Sequence, residues 1–589
     1  MRRKETGLLI ESMIKQVMLI TALSGFVTLL GSFVDGVLIG RFLGPVSMSA
    51  FGLFNPFLLL CIAVSSLFMS GGKIAASNYV GSGKLKEANS VFCMITTLIT
   101  LVSIIVCIGM NLLPGQLASL LGASKDIEMM QPLTDYIRGV SFGIPAMMIM
   151  FCVTTYLQID GDNIRLIVSM LVMVVVNIAG DLLCIFAVKN GMFGMGLATS
   201  VSNIAGAVIV LSHFVSKRSS FRYSPKNAIW NQLGSILFSG VPTISQRLYS
   251  AVSNYLMNRI VLMVAGVIGG AAQSTRGNIS ALFLTLGSSL GNATLTVASL
   301  LYGEKDRAGL KTTQKKAVSI SLKVTIVLAV IMFVFARPIT EIYTGGNTEA
   351  MDMTVQAIRM FAFSLPFSSI CDIFAGYYQA VGKLWIANLI PLLEYLVFPV
   401  SISYILGHSP LGIFGVWIAY PIAEVLTVVI VAAAVVIVNK AGKRPTFDLA
   451  MLRDDFGYCE EDILSMSIEN LDQCVQASYE TEGFIRKYSD DRRKSLFISI
   501  AVEELTKNIV QHGFGSRKNA AADLKLIRDG DQFILRLRDN CKPFNPKEYQ
   551  QMLSEENKDQ NFGLRLVFGM MSDVEYVSVL NMNNLRVVI

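Results

Sequence analysis

Charged side chains are scarce in this chain. Only 15% of its 589 residues are Asp, Glu, Lys or Arg, whereas 53% are hydrophobic, and this balance excludes an ordinary soluble enzyme. The scarcity is uneven, because charges thin out through residues 16–439 and become dense from Lys440 onward. We therefore expect most of the chain to face lipid and the C-terminal part to face water.

Three sequence signals are missing. The nine cysteines form no CxxC pair, so we expect no metal site of that kind and no disulfide framework. No GxxxxGK[ST] loop occurs, so ATP is not expected to energise a transport step. The basic N-terminus runs into a long apolar stretch without a small-residue cleavage site, which indicates the flank of a first membrane helix rather than a removed signal peptide.

Long apolar runs dominate the rest of the sequence. A membrane-spanning helix needs about 20 mostly apolar residues. Twelve such stretches occur, six on each side of a polar segment at 216–232. The predicted spans are 16–40, 50–72, 91–113, 136–158, 165–188, 194–216, 233–264, 270–300, 317–336, 357–381, 385–407 and 411–438.

The distribution of Lys and Arg predicts the orientation of these spans. Cations near span ends stay preferentially on the cytoplasmic side, and the even-numbered connections are the basic ones, for example around Lys84, Lys217 and Lys311. The N-terminus and the exit near Lys440 are also basic. We therefore expect a multi-pass cell-membrane protein with both termini in the cytosol.

The two halves of the apolar region repeat each other. Gln158 and Gly194 recur as Gln379 and Gly415, and both 379 − 158 and 415 − 194 give an offset of 221 residues. Because each half has an even number of spans, the repeats are parallel and enclose a central cleft. We predict an N-lobe at 1–222 and a C-lobe at 223–440, each of six helices, followed by a domain at 441–589.

Polar residues inside the first lobe indicate an ion site. Charges within spans are costly and are therefore candidates for function. Asp35 lies in the first span, Asn177 and Asp181 lie one turn apart in the fifth, and Thr199 lies in the sixth. Two carboxylates, an amide and a hydroxyl could bind H⁺ or Na⁺. Alternatively, Asp35 caps a helix break beside Gly36 and Asp181 lies at a hydrated helix end.

The second lobe also contains ionisable residues, but their spacing forms no evident constellation. One interpretation is that Asp372 and Arg247 form a structural ion pair. The ionisable residues within the predicted spans of this lobe also include Glu394 and Glu424.

The membrane part resembles the multidrug and toxic compound extrusion (MATE) transporters. The resemblance rests on FVDGVLIGRFLGP, GSGKLKEAN, LQIDGDNIRL, NIAGDLL, GMGLATS and FGVWIAY, in that order over residues 10–438. It implies export of small organic cations in exchange for H⁺ or Na⁺, with Asp35, Asn177, Asp181 and Thr199 as the cation-coupling site. Many relatives carry an acidic residue in span seven, where this chain has Gln246 and Arg247.

Beyond residue 445 the pattern is typical of a soluble domain with helices and strands. SLFISIAVEELTKNIVQHGFG predicts an amphipathic helix, and ADLKLIRDG with DQFILRLRD predicts a hairpin around Asp529 and Gly530. A further helix followed by strands is expected after residue 561. Glu504, Asn508 and His512 are each four residues apart and share one predicted helix face. They could hold Mg²⁺ at a nucleotide phosphate, or could form only a solvated surface.

This domain resembles the histidine-kinase-like ATPases of the anti-sigma-factor serine kinase type, a GHKL-type α+β sandwich. The motifs are AVEELTKNIVQHGFG, LRLRDNCKPFNP and NFGLRLV. The resemblance implies ATP and Mg²⁺ as cofactors, with Glu504 as the catalytic base and Asn508 as the Mg²⁺ ligand. Asp539 would accept from the adenine amino group, and His512 and Gly563 would complete the ATP site. Asn540 to Pro543 replace the glycines expected after Asp539.

The all-α membrane protein and its tail leave three functional hypotheses. The first is an ion-coupled antiporter of organic cations that is regulated by an ATP-binding tail. The second is a flippase or exporter of an endogenous lipid-linked or signalling molecule. The third is a membrane sensor whose tail phosphorylates a serine or threonine of a cytosolic protein. Expected partners are the lipid bilayer, a small organic cation and a cytosolic regulatory protein, and no nucleic acid.

Overall fold

The computed structural model describes residues 7–123, 127–216, 219–228, 230–344, 348–442, 448–515, 520–542 and 573–589. The N-terminal half of the membrane region is helical. Its helices are α1 (Gly7–Leu38), α2 (Gly44–Gly81), α3 (Leu85–Leu112), α4 (Pro114–Leu120), α5 (Ile127–Ser141), α6 (Ile144–Ile159), α7 (Asn163–Leu183) and α8 (Gly191–Val215). Short π-helical turns, Ile39–Leu43 and Cys184–Val188, extend α1 and α7.

The C-terminal half repeats this arrangement. Its helices are α9 (Leu233–Gly303), α10 (Arg307–Val334), α11 (Ala336–Thr344), α12 (Thr348–Ala362), α13 (Leu365–Ala380), α14 (Leu384–Pro391), α15 (Phe398–Gly407) and α16 (Gly412–Ala441). A π-helical segment, Leu392–Val397, joins α14 to α15. Gly266 has φ of 58° and divides α9 into two arms. Glycine suits this position because a side chain there would be strained.

The described residues contain nine helices that are long and apolar enough to cross a membrane, or eleven if each of two bent pairs forms one span. The bent pairs, α5 with α6 and α12 with α13, turn by 50° and 47°. The first arm of α9 coincides with the predicted span 233–264, and it is helical but falls outside this apolar set. The structure thus confirms a polytopic all-α membrane region.

The two bends have the same cause in each half. Pro145 and Pro366 lie at the first positions of α6 and α13. A proline lacks the N–H that would continue the preceding helix and it is favoured at a helix start. The offset 366 − 145 is again 221 residues, so the bend belongs to the internal repeat.

The two halves pack closely where α2 ends beside the end of α9. Gly81 lies against the carbonyl oxygen of Leu300, and Gly303 lies against that of Asn78. The Ser82 hydroxyl donates to the Gly303 carbonyl oxygen at 2.9 Å. Glycines permit this approach because a larger residue would force the two backbones apart.

The C-terminal domain is a five-stranded antiparallel sheet covered on one face by two helices. The sheet order is β1-β2-β3-β5-β4. The strands are β1 (Ile463–Ile468), β2 (Ala522–Asp529), β3 (Gln532–Asp539), β4 (Asp573–Val579) and β5 (Met582–Val588). The helices are α17 (Leu471–Arg486) and α18 (Arg492–Asn508), and they bury Leu524, Leu526, Leu535, Leu537, Leu585 and Val587.

The hairpin predicted for this domain is present. β2 pairs with β3 in the register Asp529 to Gln532, and Gly530 has φ of 63° at the turn. The helix predicted from SLFISIAVEELTKN is α18. The helix expected after residue 561 falls mainly outside the described residues, as does Gly563.

Candidate functional site

The four predicted cation-coupling residues come from three helices of the N-lobe. Asp35 lies in α1, Asn177 and Asp181 in α7, and Thr199 in α8. The first three side chains are buried, with exposed fractions of 9%, 7% and 0%. The carboxylates of Asp35 and Asp181 are in direct contact. Helix packing accounts for the depth of Asp181, because Gly180 lies against Ala198 of α8.

Three of the four oxygens of this carboxylate pair are buried and receive no hydrogen bond from the part of the chain that the structure describes. Asp35 Oδ1, both carboxylate oxygens of Asp181 and the Asn177 amide nitrogen are buried without a hydrogen-bond partner among the described residues. Two carboxylates in contact are both acceptors, so they repel each other unless a proton or a cation lies between them. The arrangement therefore fits an exchangeable positive ion.

Tyr136 belongs to the same pocket, although the sequence did not identify it. The side chain lies in α5, is 4% exposed and lies close to Thr199 and to both carboxylates. Gly139 and Gly196 lie against the facing backbones of α8 and α5 and bring these helices together. Those glycines were the available sequence signal, but Tyr136 is uncharged and stands between Asp135 and Arg138, at the very start of the predicted span 136–158.

A second acidic cluster lies in the C-lobe. Ligand atoms of Cys371, Glu394 and Glu424 all lie within 4.8 Å of one another. Ser368 donates to Glu394 at 2.9 Å, and one carboxylate oxygen of Glu424 is buried without a hydrogen-bond partner in the described structure. Sequence spacing did not show this constellation, because the three residues come from α13, the π-helical segment before α15, and α16.

The interpretation of Asp372 and Arg247 as an ion pair is wrong for the described residues. Gln246 donates to Asp372 at 3.1 Å, and the Tyr395 hydroxyl donates to the same carboxylate at 3.4 Å. The exposed Arg247 guanidinium instead lies 5.9 Å from the centre of the Phe151 ring. Consecutive residues of a helix point in different directions, so Gln246 faces into the C-lobe and Arg247 faces the other lobe.

Polar contacts join the lobes close to Arg247. The Thr243 hydroxyl donates to Ser70 at 2.8 Å, and Gln379 donates to Ser70 at 3.0 Å. Lys73 is 1% exposed and donates to Asn292 at 2.5 Å. Arg247 is therefore an exposed cation at the seam between the lobes.

The predicted nucleotide-binding residues lie on the helix-covered side of the C-terminal sheet. Glu504 and Asn508 are half-buried in α18, whereas His512 is exposed in the π-helical turn Ile509–Gly513 that follows. Asp539 ends β3 and is 6% exposed. Its Oδ1 atom accepts from the Cys541 amide at 2.9 Å and from the Asn583 side chain at 2.7 Å.

Packing brings the end of α18 to the end of β3. Gly513, five residues after Asn508, lies against the Cys541 side chain, which is two residues beyond Asp539. The helix segment that carries Glu504, Asn508 and His512 therefore ends beside the residues that follow Asp539. This donor and acceptor set fits a nucleotide with its magnesium ion.

Two family models match the chain. The MatE model matches residues 21–183 and 242–405. The model described as histidine kinase-like ATPase domain matches residues 470–589.

Curated proteins are similar to the membrane part in sequence, and a solved structure has the same fold. A probable multidrug resistance protein, YoeA of Bacillus subtilis, is 20% identical over 69% of this chain and 90% of its own length. The multidrug export protein MepA of Staphylococcus aureus is 23% identical over 72% of this chain and 92% of its own. An outward-facing structure of a multidrug resistance MATE family transporter superimposes with a TM-score of 0.67 at 20% identity, covering 73% and 97% of the two chains.

Proposed function

Because this chain belongs to the MatE family and ends in a histidine-kinase-like ATPase domain, we propose that it is an ion-coupled antiporter that exports organic cations and is regulated by nucleotide at its tail. The lobes at 1–222 and 223–440 would alternate in access, and the domain at 441–589 would lie in the cytosol with the N-terminus. The names of YoeA and MepA support drug-like cargo.

The contact between Asp35 and Asp181 carries this proposal. Buried together without donors, these carboxylates hold a proton or Na⁺ in one orientation of the lobes and lose it in the other. An ion shifts the equilibrium between the orientations only by its difference in affinity for them. Because the two carboxylates are buried, their affinity for the ion changes strongly when water enters the pocket. The two orientations of the lobes therefore differ greatly in ion affinity if they differ in hydration of this pocket.

Transport in proteoliposomes tests the coupling. Purified full-length protein is reconstituted, and ethidium movement is followed under a pH gradient alone and under a sodium gradient alone. One gradient should drive transport, and Asp35→Asn should abolish its effect. Asp135→Asn is the matched control, since Asp135 in α5 pairs with Gln131 outside the pocket. Equal gradient-driven transport by wild type and Asp35→Asn would refute the site.

Arg247 favours a second candidate, the export or flipping of an endogenous lipid-linked molecule. Its exposed guanidinium at the seam between the lobes suits an anionic headgroup better than a cation. Arg247→Gln separates the two functions. Ethidium transport should rise or persist for the organic-cation exporter, whereas movement of a fluorescent anionic lipid should fall for the flippase.

The tail supports ATP binding through its own residues. Asp539 would accept from the adenine amino group, Asn508 would hold Mg²⁺ at the phosphates, and Glu504 would act as base. Bound ATP would supply a transferable phosphoryl group, and transfer to a serine of a cytosolic partner corresponds to the anti-sigma kinase type. Calorimetric titration of the full-length protein with Mg·ATP should detect binding that Asp539→Asn weakens at least tenfold, while Asp531→Asn in the hairpin turn leaves it unchanged.

A further inference from the structure

The outer face of the C-terminal sheet is in contact with the membrane region. Side chains alternate along a strand, so the apolar side chains of β3 face α17 and α18 while Arg536 and Arg538 point away from these helices. Both arginines bind Glu304, the residue that follows α9. Arg538 pairs with the Glu304 carboxylate, and Arg536 donates to its carbonyl oxygen at 2.8 Å.

The neighbouring strand repeats this pattern. Lys525 of β2 donates to Asp306 at 2.5 Å, and both partners are largely buried, with side chains 18% and 10% exposed. Before the sheet begins, the chain also lies on the C-lobe, where Tyr378 donates to the Leu449 carbonyl oxygen at 2.9 Å. Buried ion pairs lose much of their stabilisation when one partner is removed. The domain is therefore anchored firmly on the C-lobe.

The same face also reaches the N-lobe, by a different kind of contact. The amide of Leu580, in the turn between β4 and β5, donates to the Ile159 carbonyl oxygen at 3.0 Å. The next residue, Asn581, lies against Gly161. Leu580 is 2% exposed and shares one apolar cluster with helices of both lobes. Gly83, just after α2, lies against Glu575 and Arg586 of the sheet. The N-lobe attachment therefore consists of a backbone hydrogen bond and close packing, whereas the C-lobe attachment contains ion pairs.

The nucleotide residue and the anchor are adjacent on one strand. Asp539 faces the helices and bonds Asn583, whereas Arg538 faces the membrane region and bonds Asn584 at 2.7 Å as well as Glu304. Asn583 and Asn584 begin β5, directly after the turn that contacts Ile159. A ligand that competes with Asn583 for the Asp539 carboxylate therefore acts on the start of β5 and on the turn.

We propose that the C-terminal domain is a nucleotide-released clamp: its outer sheet face bridges the two lobes and keeps them together on that side, and adenine binding at Asp539 frees the turn at Leu580 from the N-lobe. This inference rests on the proposed regulation by nucleotide and specifies the contacts through which the nucleotide would act. Opening of the lobes on the clamped side requires that the domain leave one of them. The attachment at Ile159 and Gly161 is the one that breaks, because it lies directly beside the start of β5, where Asn583 bonds Asp539.

The test measures the distance between the lobes rather than transport. Spin labels are placed on the exposed positions Lys86, at the start of α3, and Lys315, in the third turn of α10. The exposed Cys459 is changed to serine. Distances are measured by electron–electron double resonance on the full-length protein in nanodiscs. Without nucleotide, wild type should give one short distance.

Glu304→Arg should add a longer-distance population, and the charge-swapped pair Glu304→Arg with Arg538→Glu should remove it again. Glu469→Arg reverses the charge of an exposed side chain in the same domain and should give the same distance distribution as wild type. Glu304→Gln removes only the charge, and Leu580→Ser removes apolar packing against the N-lobe while keeping the backbone hydrogen bond; both should shift the population in the same direction. If Glu304→Arg and Leu580→Ser both keep the wild-type distance, or if the charge swap fails to restore it, the clamp is refuted.

Mg·ATP then tests the release. It should produce a longer-distance population in wild type and leave Asp539→Asn at the single short distance. A wild-type distribution that ATP leaves unaltered while calorimetry shows binding would overturn the release step. Failure of ion-driven transport would refute the exporter but would leave these distances as they are, so the two proposals fail separately.

Discussion

Asp35 of α1 and Asp181 of α7 meet carboxylate to carboxylate in a pocket where Asp35 Oδ1 and both oxygens of Asp181 receive no hydrogen bond from the described residues. Two buried acceptors in contact are unfavourable unless a positive ion is shared between them. The close approach of the two carboxylates is therefore stable only when a proton or a cation is bound between them. This dependence can be tested by removing one charge at a time.

Asp181→Asn should lower gradient-driven transport at least tenfold. The amide keeps the size of the side chain but removes the charge that attracts the ion, so the orientations of the lobes no longer differ in ion affinity. Transport under imposed gradients measures the loss, and binding of cargo to the detergent-purified protein should persist. An unchanged rate, with Asp135→Asn as the control, would contradict the assigned role of the pair.

Tyr136→Phe should raise the ion concentration required for half-maximal transport about three- to tenfold. The change removes a hydroxyl that lies beside Thr199 and the two carboxylates, and a hard cation loses a neutral oxygen ligand with it. Maximal transport should change little, because the charges remain. Tyr404→Phe, at an exposed position in α15, is the control, and equal midpoints for both variants would exclude Tyr136 from the ion site.

Gly303→Ala should destabilise the membrane region by about 1 to 3 kcal/mol, the range for forcing atoms into a packed interface. The added methyl group would collide with the backbone of Asn78 where α9 meets α2. Gly234→Ala lies in the same helix with no heavy atom within 4 Å and should be neutral or stabilising. Thermal unfolding of both variants in detergent measures their unfolding temperatures, and equal unfolding temperatures would contradict the close packing at Gly303.

Acid should detach the C-terminal domain. Burial raises the pKa of Asp306, but the ammonium of Lys525, the Gly309 amide and Arg538 outweigh this effect and hold the pKa below its ordinary value of 3.8. A carboxyl with a lowered pKa stabilises the docked state above its ordinary pKa, and this contribution is lost as the pH falls through the lowered one. Docking should therefore be constant near neutrality and weaken below about pH 4.

Hydrogen exchange of the Leu580 amide measures this detachment. Asp306→Asn should increase exchange at neutral pH and flatten its acid dependence. Asp455→Asn removes an exposed pair with Arg453, which contributes little, and should follow wild type. A wild-type acid profile in Asp306→Asn would show that another group controls docking.

Local patterns predicted the elements better than the contacts between them. The apolar runs predicted the membrane helices, and the turn signal at Asp529 and Gly530 predicted the hairpin of β2 and β3. Pro145 and Pro366 bend two of the predicted spans, a consequence that the apolar pattern alone does not show.

The partners of particular side chains were harder to predict, because they depend on helix rotation and on distant sequence. Asp372 contacts Gln246 rather than Arg247, a difference of one helical position. Glu304 and Arg538 are 234 residues apart, and no periodicity links a turn between membrane helices to a strand of another domain. The roles of Asp35, Asn177, Asp181 and Thr199 in ion coupling, and of Glu504, Asn508 and His512 at a nucleotide, stay predictions.

The second arm of α9 ends at Gly303, and the next residue, Glu304, is held by β3 of the C-terminal domain. A continuous helix transmits displacement along its axis, so a rearrangement of the C-lobe around cargo moves the attachment point of the sheet. Binding of cargo and binding of nucleotide are then thermodynamically linked. If nucleotide changes the affinity of this protein for its cargo by some factor, the cargo must change the affinity for nucleotide by the same factor. Nucleotide occupancy of the tail therefore depends on how much cargo is bound.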